Sequence, residues 1–209
     1  HYNGLIPRNP FIQFHISPNV KEREYLTEDE LKAVMTHEFA DSKLAYIRDI
    51  FIFASFTALS FVDIQELTND NIVEVNGEKW ILSKRHKTKV AFQVKLLDIP
   101  LQIVERYRPM QKDNRIFPGL NYWSICKPLK RMIRECGITK SISFHCSRHG
   151  FATLALSKGM PIESVSRVLG HTNIVTTQLY AKITTQKLDN DLTMFGDKLS
   201  KTFNGITMS

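Results

Sequence analysis

Between two long stretches of helical periodicity lies one segment that a helix cannot absorb. Residues 72–75, 80–82 and 91–96 are rich in β-branched and aromatic side chains in short runs. Asn76-Gly77 separates the first two runs. Both residue types accept the positive φ of a two-residue hairpin turn, so the segment predicts antiparallel strands. A basic run, Lys84-Arg85-His86-Lys87-Thr88-Lys89, joins the second strand to the third. On either side the apolar spacing is helical. Thr27-Glu28-Asp29-Glu30 is a capping box with acids at the positive helix end. Further helices are predicted over 42–55, 61–67, 101–107, 122–135, 145–157, 162–169, 174–181 and 184–199. Gly119, Gly137, Gly159 and Gly170 punctuate them. The expected fold is a mostly helical α+β domain with a small three-stranded antiparallel sheet.

Residues 1–22 carry Pro7, Pro10 and Pro18 among few periodic apolar positions. They read as an extended arm, as in a fragment of a longer protein. The longest apolar zone, 50–59, is broken by Ser55 and Thr57 and reads as a buried helix, not a membrane span. No signal-peptide pattern opens the chain. The 3 cysteines, Cys126, Cys136 and Cys146, form no C-x-x-C pair, so a disulfide framework does not fit and a reducing cytoplasm does. The net charge of +7 suggests an anionic partner, nucleic acid first, although many basic proteins bind nothing special.

Three local contexts carry chemistry. In Phe144-His145-Cys146-Ser147-Arg148, His145 and Arg148 are three apart and share a helix face. An imidazole and a guanidinium on one face suit a small anion, and a guanidinium grips two phosphate oxygens at once. A surface pair with no role remains the alternative there. In Leu169-Gly170-His171, Gly170 permits a left-handed turn and His171 re-enters the chain beyond it. Zinc is open by residue type, since His145, His149, His171 and Cys146 all ligate it. Their spacing lacks the close pairs of structural sites. In Thr176-Thr177-Gln178-Leu179-Tyr180, a lone tyrosine is ordinarily a packing residue.

Taken together and in order, these segments resemble the tyrosine recombinase family over about residues 25–185. The family's H-x-x-R box looks like His145 to Arg148, followed by His149 and Phe151-Ala152-Thr153. Its L-G-H box is Leu169-Gly170-His171, its T-T-x-x-Y box ends at Tyr180, and its hairpin lysine matches Lys87. Tyr25-Leu26-Thr27-Glu28-Asp29-Glu30-Leu31 resembles the first helix of the family's catalytic domain. One departure stands out. The family's first arginine falls on Ser60, in Thr57-Ala58-Leu59-Ser60-Phe61-Val62-Asp63. Some integrases of Bacteroides mobile elements are similar there, and the chain as a whole looks closest to those. Serine carries no charge, so the reaction proceeds on one arginine or another basic residue moves in. Arg85 is the candidate.

The resemblance implies a site-specific recombinase that cuts and rejoins DNA through a 3′-phosphotyrosyl bond to Tyr180. Arg148 grips the non-bridging oxygens and His171 adds a hydrogen bond. Lys87 protonates the leaving 5′-oxygen, and His145 assists proton removal from the phenol. No cofactor and no metal are implied. The partner is double-stranded DNA. Contacts are expected from Lys84, Arg85 and Lys89, and from Lys127, Lys130, Arg131 and Arg134, whose i, i+3, i+4, i+7 spacing lines one helix face. A solvated basic face is the alternative for that row. The implied assembly is a tetramer on paired sites, monomeric without DNA. The implied organisation is an arm over 1–24 from a missing N-terminal DNA-binding domain and a catalytic domain over 25–183. A C-terminal helix and tail over 184–209 would pack on a neighbour. The implied setting is a bacterial cytoplasm, at the nucleoid. An inactive DNA-binding module, a type IB topoisomerase and a metal-dependent nuclease are the rival readings.

Overall fold

The computed structural model describes residues 24–86, 89–111, 113–181, 185–202 and 204. The arm expected over 1–24 therefore lies almost wholly outside the described residues. Thr27 starts the first helix, α1 (Glu28–Thr36), by the predicted exchange. Its hydroxyl accepts from the Glu30 amide at 3.2 Å and the Glu30 carboxylate accepts from the Thr27 amide at 2.7 Å. The apolar zone becomes α2 (Ser42–Thr57), buried along most of its length. Ser55 and Thr57 return their hydroxyl protons to the Phe51 and Phe53 carbonyls at 2.8 and 2.7 Å, so both sit in the core fully bonded. Helices α1, α4 (Asp98–Tyr107), α5 (Tyr122–Glu135) and α6 (Cys146–Ser157) pack around α2.

The strands are β1 (Ile72–Val75), β2 (Glu78–Lys84) and β3 (Ala91–Lys95), paired antiparallel in the order β1-β2-β3. Val75 faces Glu78 across the first turn, where Asn76 and Gly77 take φ of 53° and 78°. Lys84 faces Ala91, and the Arg85 amide reaches the Val90 carbonyl at 2.8 Å, closing the base of the second hairpin. Its tip, Lys87 and Thr88, lies outside the described residues.

Helices α4 and α8 (Val175–Gln178) are among those that depart from expectation. Helix α4 begins at Asp98, not 101. Pro100 falls in its first turn, where amide groups have no intrahelical acceptor and a missing N–H costs nothing. Helix α8 covers only Val175–Gln178 instead of 174–181. Ile174, Val175, Thr176 and Thr177 form a β-branched run of low helix propensity. The chain closes with i→i−3 bonds, among them Tyr180 amide to Thr177 carbonyl at 3.0 Å. Tyr180 thus leaves from a tight turn rather than from a helix face.

Helix α7 (Ile162–Leu169) lies against β3, α6 and α8. With the left-handed Ala58 that ends α2, it forms a second apolar cluster of Ala58, Ala152, Leu156, Val165 and Leu169, on which Tyr180 packs. This cluster is separate from the main core and carries the site. The last helix, α9 (Thr185–Thr202), leaves Leu188, Leu192, Phe195 and Leu199 exposed. No helix among the described residues is long and apolar enough to cross a membrane.

Candidate active site

The site is built where α2, α6 and α7 end or begin. Ala58 adopts φ of 56°, which turns its carbonyl toward Arg148 of α6, and Arg148 Nη1 donates to it at 2.8 Å. Arg148 Nη2 donates to the Leu169 carbonyl at the end of α7. The neighbouring carbonyl, Val168, accepts from Arg85 Nη2 at 2.5 Å. Adjacent C-terminal carbonyls of one helix thus hold two guanidinium groups, an arrangement the negative helix end favours.

Arg85 reaches this place from the end of β2. Its Nη1 donates to Asp63 Oδ2 at 2.7 Å, and its guanidinium lies over the Phe92 ring at 4.0 Å. It is only 5% exposed. Ser60 has a different job from the one its position first suggested. It caps α3 (Phe61–Gln65), its hydroxyl donating to Asp63 Oδ2 at 2.7 Å and accepting from the Asp63 amide at 3.3 Å. Asp63 Oδ1 accepts from the His86 amide at 3.1 Å. Burial alone would raise the Asp63 pKa. The bonds from His86, Ser60 and Arg85 outweigh it and hold the carboxyl below its usual range. Gly170 makes room for Arg85. Its φ is 63°, and a Cβ there would lie 2.9 Å from Arg85 Cγ and Nε. Arg85 Nε itself is buried with no hydrogen-bond partner.

These cations act on one another. Burial, then the Arg85 charge, pulls Arg148 down to about 10, so it stays cationic at neutral pH. Burial, then Arg148 and Arg85, pushes His171 down to about 4, so its imidazole is neutral there. His171 Nδ1 pairs with the Thr177 hydroxyl at 2.8 Å, and Thr177 is fully buried, which fixes the ring. Tyr180 stands within electrostatic reach of Arg148. Its ring lies 5.2 Å from that of His149, which lies 4.7 Å from His145. His145 is the residue before the first turn of α6 and is exposed.

The structure therefore gathers Arg148, His171, Tyr180, His145 and Arg85 at one place in one protomer. Lys87 falls outside the described residues, two positions beyond Arg85. Lys84 and Lys89 are exposed beside the hairpin, whereas Arg85 turns inward. Lys127, Lys130, Arg131 and Arg134 line a shallow concavity of about 440 Å³ on α5, apart from this cluster. Arg131 is partly neutralised by Glu135 at 2.8 Å and Asp41 at 3.3 Å. Cys146 does not join the histidines. It is buried in the main core, its Sγ accepting from the Ser143 amide at 3.3 Å. Sequence reasoning passed over three residues. They are Asp63 as the anchor of Arg85, Thr177 as the support of His171, and His149 against Tyr180. All three lie inside segments that carry the family resemblance, so motif membership was the available signal.

The family described as "Phage integrase family" matches residues 24–187. The chain is 32% identical over 177 residues to the tyrosine recombinase XerA of Pyrococcus horikoshii, covering 78% of this chain and 58% of that protein. It is 26% identical to the tyrosine recombinase XerD of Listeria innocua, covering 90% of this chain and 67% of the relative. Among solved structures, the Tn1549 transposon integrase in complex with a circular intermediate DNA superposes with a TM-score of 0.75 at 17% identity, covering 91% and 72% of the two chains. The XerA recombinase crystal structure gives 0.66 at 20% identity, covering 84% and 64%. At such identities the structural likeness speaks for the fold. The mostly helical domain with its small antiparallel sheet is the one these recombinases share.

Proposed function

Because the chain belongs to the phage integrase family, we propose that it is the catalytic part of a site-specific recombinase that cuts and rejoins double-stranded DNA through Tyr180. The observation that carries this reading is the convergence of a tyrosine, two guanidinium groups and a neutral histidine where α2, α6 and α7 meet. Phosphoryl transfer places charge on the non-bridging oxygens, and pre-set cations stabilise it where little water competes. The Tyr180 phenol oxygen attacks the scissile phosphorus. The bond to the 5′-oxygen breaks, and a 3′-phosphotyrosyl ester forms. Arg148 binds the non-bridging oxygens and His171, held neutral, donates a hydrogen bond. Arg85 supplies the second positive charge that Ser60 cannot, and Asp63 holds it there. Lys87, on the hairpin that Arg85 anchors, gives its proton to the leaving oxygen. His145, with His149 against the Tyr180 ring, assists removal of the phenol proton. The ester stores the bond energy, so the reverse attack by a 5′-hydroxyl rejoins the strand without a nucleotide cofactor.

The wider reading follows the same family. Lys84, Lys89 and the basic face of α5 contact DNA phosphates. The apolar side of α9 packs on a neighbouring protomer in a tetramer on paired sites. An N-terminal domain, joined through the arm at 1–24, supplies further DNA contacts. The host is a bacterial mobile element, as in Bacteroides integrases that resemble this chain at Ser60, and the enzyme works at the nucleoid.

A nicked duplex carrying the recombination site traps the covalent step. The expected result is a protein–DNA adduct that is absent from Tyr180→Phe. No adduct from the full-length protein, with binding intact, leaves only a DNA-binding module. An adduct that survives Tyr180→Phe removes the assignment of the nucleophile.

A further inference from the structure

The basic face of α5 has an apolar leading end that the chemistry above does not use. Among the described residues Trp123 is 85% exposed, more than any other large apolar side chain. Tryptophan is highly buried on average, and Tyr122 beside it, 49% exposed with its ring 6.0 Å away, makes the indole part of an apolar patch rather than a lone exposed side chain. Trp123 stands at i relative to Lys127, Lys130 and Arg134 at i+4, i+7 and i+11, so indole and cations form one stripe along the helix. The stripe runs about 16 Å. The acids that meet this face, Glu135 and Asp41, are bound to Arg131 at 2.8 and 3.3 Å, which leaves the three cations of the stripe to a partner.

The leading end of α5 is also tied to the catalytic pocket. The Asn121 side chain caps the helix by accepting from the Trp123 amide at 2.9 Å, which fixes the backbone under the indole. Tyr122, one residue back, packs its ring 5.3 Å from Phe61, and Phe61 lies 5.2 Å from Phe144. Phe61 follows the Ser60 cap and Phe144 precedes His145. Two ring contacts therefore link the start of α5 to the residue before His145, the group proposed to assist removal of the phenol proton. The cationic stripe behind Trp123 suits a polyanion better than an apolar protein face.

We infer that Trp123 is an apolar base contact of this protein, inserted at the major-groove edge and covering thymine methyl groups while Lys127, Lys130 and Arg134 hold the backbone behind it. The assignment rests on the recombinase reading. Helix N-terminal residues reach base edges when a helix enters a groove about 12 Å wide, and a thymine C5-methyl is the apolar feature found there. The phosphate contacts fix position, and the indole adds sequence preference.

The test uses the whole chain carrying Trp80→Phe, which leaves Trp123 as the sole tryptophan of the 2. The probes are alternating poly(dA-dT) and the same polymer with deoxyuridine in place of thymidine, both at fixed low salt. Trp123 emission should change on binding the thymine polymer. That polymer should bind more tightly than the uracil polymer by about fourfold for each methyl covered. In Trp80→Phe/Trp123→Ala the two affinities, followed by anisotropy of labelled polymer, should become equal and the salt slope should stay unchanged. Binding without an emission change, or without thymine preference, overturns the Trp123 assignment and leaves the DNA reading standing. Failure to bind either polymer overturns the DNA reading and this assignment with it. Self-association without DNA, seen by light scattering and lost on Trp123→Ala, gives the surface to a second copy and also overturns it.

Discussion

Two positively charged regions of this molecule work by opposite physics. On α5 the cations stand in water along one helix face and come from a single stretch of sequence. In the pocket, Arg85 and Arg148 are withdrawn from water and come from β2 and α6, held on neighbouring carbonyls of α7. The exposed row attracts a polyanion, but salt screens each charge and none is shaped for a particular atom. The buried pair is costly to assemble, since burial lowers both guanidinium pKa values and the Arg85 charge lowers that of Arg148 further. Asp63 and the carbonyls offset that cost, and the reward is a fixed, poorly screened field at one point. On the proposed function, affinity belongs to the first region and rate to the second.

The sharpest way to break this contrast is salt. If about six phosphates are contacted, affinity falls roughly a thousandfold between 50 and 200 mM, measured by anisotropy of a labelled duplex. Cleavage of saturating nicked DNA should barely change over the same range. Next is Arg85→Gln, expected to slow single-turnover cleavage by roughly 10²–10³-fold, the size of losing one transition-state donor, with an unchanged salt slope. A tenfold weaker affinity with normal cleavage would instead move Arg85 into the binding region. The triple change Lys127→Gln, Lys130→Gln, Arg134→Gln is its mirror image. About three units of the log–log salt slope should disappear while saturated cleavage is retained.

Smaller effects probe how the pocket is held. Ser60→Arg does not restore a missing charge. It removes the α3 cap, at about 0.5–2 kcal/mol in denaturant unfolding, and crowds Arg85, so cleavage falls. Faster cleavage would show that Arg85 fills the role poorly. The gentlest probe is pH. The folded His171 pKa of about 4 lies below its unfolded value of about 6.5, so the unfolded chain takes up the proton first. This contribution to stability is complete above pH 6.5 and is lost as pH falls toward 4. A His171→Gln variant should show a shallower loss across that window, and an identical curve would place the imidazole in open solvent.

Much of this was legible beforehand. The Thr27 box, the Asn76-Gly77 turn and the bounds of α5 and α7 all rest on contacts within a few residues, and local spacing reports those. The likeness to the recombinase family was likewise readable from motif order, and the family match covers the same span. The errors were local as well. The α4 start turned on what Pro100 tolerates, and the α8 length on a β-branched run whose buried Thr177 serves His171 instead of a helix face.

The sequence by itself determined which elements form, their handedness at the turns, and the stock of chemistry-bearing side chains. Only the tertiary structure decided that Arg85 lies beside Arg148, 63 positions further along the chain, and that Ser60 serves as a cap instead of a vacant charge. The physical reason is range. Caps and turns are settled by hydrogen bonds between near neighbours in the chain. A shared field of two buried cations exists only after α7 has packed against β3 and α6, with Gly170 leaving the space.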